Sequence, residues 1–116
     1  MRVYVPTTVA GLAAYVRSGS VPSIAERFVP DDDSEEAEYE TLAEAAEVAT
    51  GLLDAESMAA GGRRVVIVAD VEDEDAAFPF SQVEAVHADT EDIDPGADDL
   101  PDLGWFATQE IPDLIG

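Results

Sequence analysis

Apolar and polar positions change period several times along the chain, and each change predicts an element. Residues 2–5 (Arg-Val-Tyr-Val) are β-branched and aromatic and predict a strand that Pro6 stops. Thr7 or Thr8 can then cap a helix over 9–17. Val9, Leu12 and Val16 form its apolar face, and Gly19 ends it. A short extended segment is expected around Arg27-Phe28-Val29, before Pro30. From residue 34 to about 53 the pattern is helical, with Tyr39, Leu42, Ala46, Ala49 and Leu53 spaced as one buried stripe. Its start is acidic. Asp33 and Glu36 have capping-box spacing, and carboxylates there are favoured by the helix dipole.

The second half reads as sheet. Gly61-Gly62 predicts a turn. Arg63 to Val71 is apolar on both faces from Val65 to Ala69, which predicts a central strand. Residues 72–79 read as an acidic loop. From Gln82 to Asp89 the pattern alternates, with Val83, Ala85 and His87 on one face and Glu84, Val86 and Ala88 on the other. Residues 89–102 are rich in Asp, Pro and Gly and predict a long loop. Leu103 to Ala107 is a last strand or short helix, followed by a turn at Pro112 and by Leu114-Ile115. The expected fold is a single α+β domain over residues 1–116. It has a mixed or antiparallel sheet of four to five strands and two main helices packed on one face.

Composition changes this picture through charge. The chain of 116 residues carries 27 acidic and 5 basic side chains, for a net charge of −22. All the bases are Arg, and they flank the apolar segments. Residues 31–60 hold eleven acids and no base, and residues 71–116 hold fourteen acids and no base. Such a balance excludes nucleic acid as a direct ligand, because neutralising phosphates requires cationic side chains. An anionic surface is also repelled by anionic lipid, and no apolar run reaches transmembrane length. With no signal-peptide pattern at the N-terminus, the expectation is a cytoplasmic protein without a membrane partner. There is no Cys, which excludes disulfides, thiolate metal sites and a Cys nucleophile. The acidity itself has three readings: a saline environment, a basic partner or bound cations, and an acid-favouring coding bias.

Three segments together carry a family resemblance. They are Met1 to Thr8, the strand at 63–71, and the closing Gly-Trp-Phe-Ala-Thr-Gln-Glu-Ile-Pro-Asp-Leu at 104–114. The chain resembles a family of small acidic actinobacterial proteins of uncharacterised function. The Trp-Phe/Tyr-Ala-x-Gln-Glu stretch is the most specific part. The acidic helix and Val83 to Asp89 fit the same pattern. The resemblance implies a high-GC bacterial, cytoplasmic origin, which favours coding bias as a source of the acidity. It brings no activity, cofactor or catalytic residue.

The candidate chemistry is sparse. An EF-hand alignment of the 89–102 loop with Gly96 at loop position 6 puts Ile93 and Pro95 where oxygen ligands belong, so the calcium pattern fails. His87 is the lone His and reads as a structural side chain on a strand. Gly61-Gly62 precedes a strand, so it is no phosphate loop, and no Gly-x-Ser-x-Gly elbow is present. No catalytic residue, metal ligand or cofactor is therefore expected. Two features point to binding. Glu36, Glu40, Glu44 and Glu47 line one helix face and can dock a basic protein or imitate a nucleic-acid backbone before one. Trp105-Phe106 with Gln109 and Glu110 forms the most distinctive cluster. Adjacent strand aromatics point to opposite faces, so one can be core and the other free to bind. The leading expectation is a non-enzymatic interaction module for a basic partner, such as a nucleic-acid-binding protein. The alternative is a small carboxylate-using enzyme or a domain that binds a ligand or divalent cation.

Overall fold

The continuous apolar run becomes the centre of a sheet. In the computed structural model, which describes residues 1–56 and 62–115, strand β3 (Arg64–Asp70) lies between β1 (Arg2–Thr8) and β5 (Val83–Ala88). Strand β6 (Gly104–Ala107) completes an antiparallel sheet of order β1-β3-β5-β6. Alternation along β1 and β3 gives this sheet two apolar faces. Val3, Val5, Val65, Ile67 and Ala69 belong to one cluster, and Tyr4, Val66 and Val68 to another. Helix α1 (Val9–Ser18) and the short α3 (Ile111–Ile115) cover the first face through Leu12, Ile111 and Leu114. Helix α2 (Glu35–Glu56) covers the second through Ala45 and Leu42. A small second sheet pairs β2 (Ser20–Val21) with β4 (Phe78–Pro79), inside the stretch expected as an acidic loop. The α+β class and the antiparallel sheet are as expected. The helices divide between the two faces instead of sharing one, because both faces of the central strands are apolar and both must be kept from water.

Several local expectations hold with their mechanism visible. Thr8 caps α1, its hydroxyl accepting from the Gly11 N–H at 3.2 Å, and Gly19 ends the helix at φ +76°. Phe28 is indeed extended and bridges to Tyr4. Of the expected Gly61-Gly62 turn, Gly61 lies outside the described residues. Gly62 has φ +144°, and a Cβ there would stand 2.3 Å from Leu53 Cδ1.

Other local expectations are corrected. Strand β1 runs through Pro6 to Thr8. Tyr4 exchanges both backbone bonds with Phe28, at 2.9 Å each, on the side away from β3. Pro6, two residues on, faces the same outer side, so its missing N–H breaks no bond to β3. The cap of α2 is Ser34, whose hydroxyl accepts from the Ala37 N–H at 3.1 Å; the Asp33–Glu36 spacing is not what caps it. The buried line of α2 is Thr41, Ala45, Ala49 and Leu53, and Tyr39 is 70% exposed. The phase turns because Ala45 and Ala49 let the helix lie close on the sheet while Glu38 reaches Arg2. In β5 the register skips Glu84: Val68 faces Ala85, and Ala69 faces Val83. This bulge moves Val83 onto the face of Val86 and Ala88.

Candidate functional site

Helix α2 rests on β1 and β3, while β5 and β6 continue the sheet beyond them. A groove of about 600 Å³ forms there. One wall is α2, with Tyr39, Leu42, Ala46 and Glu47. The other is the 95–103 segment, with Leu100, Pro101, Asp102 and Leu103. His87 and Trp105 contribute from the sheet. His87 and Trp105 face each other across β5 and β6 and also border a smaller hollow with Arg2, Tyr4, Glu38 and Glu84.

The far wall belongs to the acidic 89–102 stretch, a long loop as expected, and it is fastened. Arg64 and Asp89 are both buried and paired in a fork: Nε donates to Oδ2 at 2.9 Å and Nη2 to Oδ1 at 2.7 Å. Asp89 Oδ2 also accepts from the Arg64 backbone N–H at 2.8 Å, and Arg64 Nη2 donates to the Pro101 carbonyl at 2.7 Å. One guanidinium therefore ties the start of the loop to its end. Ile93 is buried, and its N–H donates to the Gly62 carbonyl at 2.9 Å. Asp94 closes a turn by accepting from the Gly96 N–H at 3.0 Å. The remaining acids of residues 89–102 face solvent.

At the other end, Arg2 joins α2 to the sheet. Its Nη1 donates to Glu38 Oε1, and its Nε donates to Glu84 Oε1 at 3.2 Å. The Tyr4 hydroxyl donates to the same Glu38 oxygen at 3.2 Å. Burial, reinforced by the Glu38 charge, pushes the Tyr4 phenol above its ordinary pKa of 10.0, so it remains a donor at neutral pH. Burial also lowers the His87 pKa from 6.5, so the imidazole beside the groove is neutral near pH 7. The groove is largely apolar; the neutral imidazole and the Asp89-paired Arg64 also line it, and the exposed carboxylates of Glu47 and Asp102 form its rim.

Of the candidate residues, Trp105 and Glu47 meet on this groove. Glu36, Glu40 and Glu44 are exposed elsewhere on α2, the last two beside Phe28 and Asp31. Gln109 and Glu110 follow the end of β6 and are exposed; Glu110 bends back to accept the Ala107 N–H at 3.0 Å. Trp105 is 62% exposed, while Phe106 on the opposite face packs against the main core, as adjacent strand residues should. Sequence reasoning missed Tyr39, assigned to the core, and the groove-lining place of His87. The available signal was that the helix repeat also fits a line through Thr41, Ala45 and Ala49, which leaves the phenol outside. Among the described residues, no group of three or more His, Cys, Asp or Glu side chains is placed to hold a metal ion. No helix among them is long and apolar enough to cross a membrane.

Fold and groove together define a small α+β domain with a concave surface of ligand-binding size. The chain belongs to the family of unknown function DUF6912, whose model matches residues 1–115. No curated protein and no solved structure matches the chain significantly.

Proposed function

We propose that the chain is a non-enzymatic interaction module that binds a basic protein at the α2–β6 groove. One observation carries the reading. Among the described residues the exposed aromatic side chains are Tyr39 and Trp105, and both line this groove. Exposed aromatics beside an apolar hollow are characteristic of binding hot spots. The carboxylates at the rim and the charge of −22 give the partner its sign. The outer face with Glu36, Glu40 and Glu44 then steers the encounter, and contact is made beside Glu47. A cytoplasmic partner from a high-GC actinobacterium, such as a nucleic-acid-binding protein, fits the resemblance noted above.

The test is affinity capture from such a lysate at stepped salt, comparing the wild type with a Tyr39→Ala/Trp105→Ala variant. The expected result is a basic protein retained by the wild type at moderate salt and lost by the variant. Equal retention by both would contradict the reading, since only the acidic surface would then be acting.

A further inference from the structure

We propose that the outer edge of β6 accepts a basic, extended peptide segment as an additional strand, with its cationic side chains over Trp105. This deepens the reading above and rests on it: it states how the basic partner docks.

The edge can be derived from the ladder. In an antiparallel sheet a residue sends its N–H and C=O to the same side, and successive residues alternate. Tyr4 bonds outward to Phe28, so Val68, opposite Tyr4, directs its groups to β5. Ala85, opposite Val68, points back to β3, and Ala107, opposite Ala85, therefore points away from β5. The Ala107 N–H agrees independently, because it donates to the Glu110 carboxylate. Trp105 lies two residues before Ala107 and has the same orientation. Its N–H and C=O thus occupy the open edge while its indole lies on the groove face beside His87.

The two edges of the sheet differ. The β1 edge carries Phe28 and a proline, both of which block strand addition. At β6 only the Ala107 N–H is closed by a carboxylate, and no strand pairs beyond it among the described residues. In an added strand the residue opposite Trp105 places its side chain on the groove face. Arg or Lys there stacks on the indole, on the side whose rim carries Glu47 and Asp102. A second copy of this chain is a poor occupant, because each copy brings the same negative charge.

The probe is an end-capped, fluorescein-labelled peptide Arg-Val-Arg-Val-Arg, with the same peptide N-methylated at every backbone amide as a control of equal charge that cannot donate to an edge. Anisotropy gives affinity, and amide exchange of the full chain gives the docking mode. The unmethylated peptide should bind about tenfold tighter or more, and saturation should slow exchange of the Trp105 amide by a similar factor. Trp105→Pro should lose about tenfold in affinity and Trp105→Ala less, since it keeps the N–H. If Trp105→Pro does not fold, amide exchange in the wild type still decides. Equal binding of both peptides without protection at Trp105 overturns the docking mode and leaves the basic-partner reading standing. Binding of neither peptide also overturns the docking mode, and the capture experiment then judges the partner reading separately. Protection at Trp105 that appears without peptide and grows with protein concentration overturns it in favour of self-pairing.

Discussion

The two faces of the sheet are made from the same strands and are finished differently. Under α1 and α3, residues such as Leu12, Ile67 and Val86 are fully buried, and the face is closed with apolar side chains. Under α2 the buried apolar cluster is small and gives way to charge: Arg2 with Glu38 and Glu84 at one end, Arg64 with Asp89 at the other. Between those pairs lies the groove. The closed face is a source of stability, since apolar area removed from water stabilises by about 25 cal/mol per Å². The open face keeps aromatic and apolar surface available, held in place by buried or hydrogen-bonded arginines.

Substitutions that damage what closes or fastens the structure should cost most. Asp89→Ala leaves the buried Arg64 guanidinium without its carboxylate, and urea denaturation should show a loss of about 3–5 kcal/mol. On the closed face, Ile67→Ala should cost about 2–5 kcal/mol in the same assay. Gly62→Ala forces a side chain into a left-handed backbone against Leu53 and should cost about 1–3 kcal/mol. On the open face, Tyr39→Ala and Trp105→Ala should each stay within about 0.5 kcal/mol of wild type, because their side chains already face water. A large loss there would erase the contrast between the faces.

The last effect is a slope. Folding lowers the pKa of His87, so the unfolded chain binds this proton more readily than the native one. The contribution is complete above the unfolded value of 6.5 and is lost as pH falls through the folded value. His87→Gln removes it. The stability of the wild type relative to the variant should therefore decline between about pH 7 and pH 5, measured by paired denaturation curves. A constant difference would place the imidazole in water.

Much of the closed face was legible from residues alone. The run Val65 to Ala69 announced a strand buried on both sides, and Thr8 with Gly19 bounded α1 by cap chemistry. Phe106 and Trp105 divided as core and free side chains. The open face was harder to read, for three physical reasons. Ala tolerates either phase of a helix, so the stripe through Tyr39 and the line through Thr41 fit the same sequence; only docking against β1 and β3 selects one. A bulge at Glu84 reverses the alternation of β5 without leaving a mark in the pattern. Asp89 sits in a run of acids that otherwise face water, and only its position opposite Arg64 makes it a buried partner. The β2–β4 pairing joins residues far apart in sequence and was hidden within an acidic stretch.

Trp105 stands exposed on an open groove, the place proposed for a basic partner. Trp105 is the sole tryptophan, so its fluorescence reports on that place alone. Quenching by neutral acrylamide, before and after saturation with the peptide Arg-Val-Arg-Val-Arg, tests the claim directly. The expected result is a red, readily quenched emission in the free protein that shifts to the blue and becomes protected when the peptide binds. A blue, protected emission in the free protein, or one unchanged by saturating peptide, would contradict it.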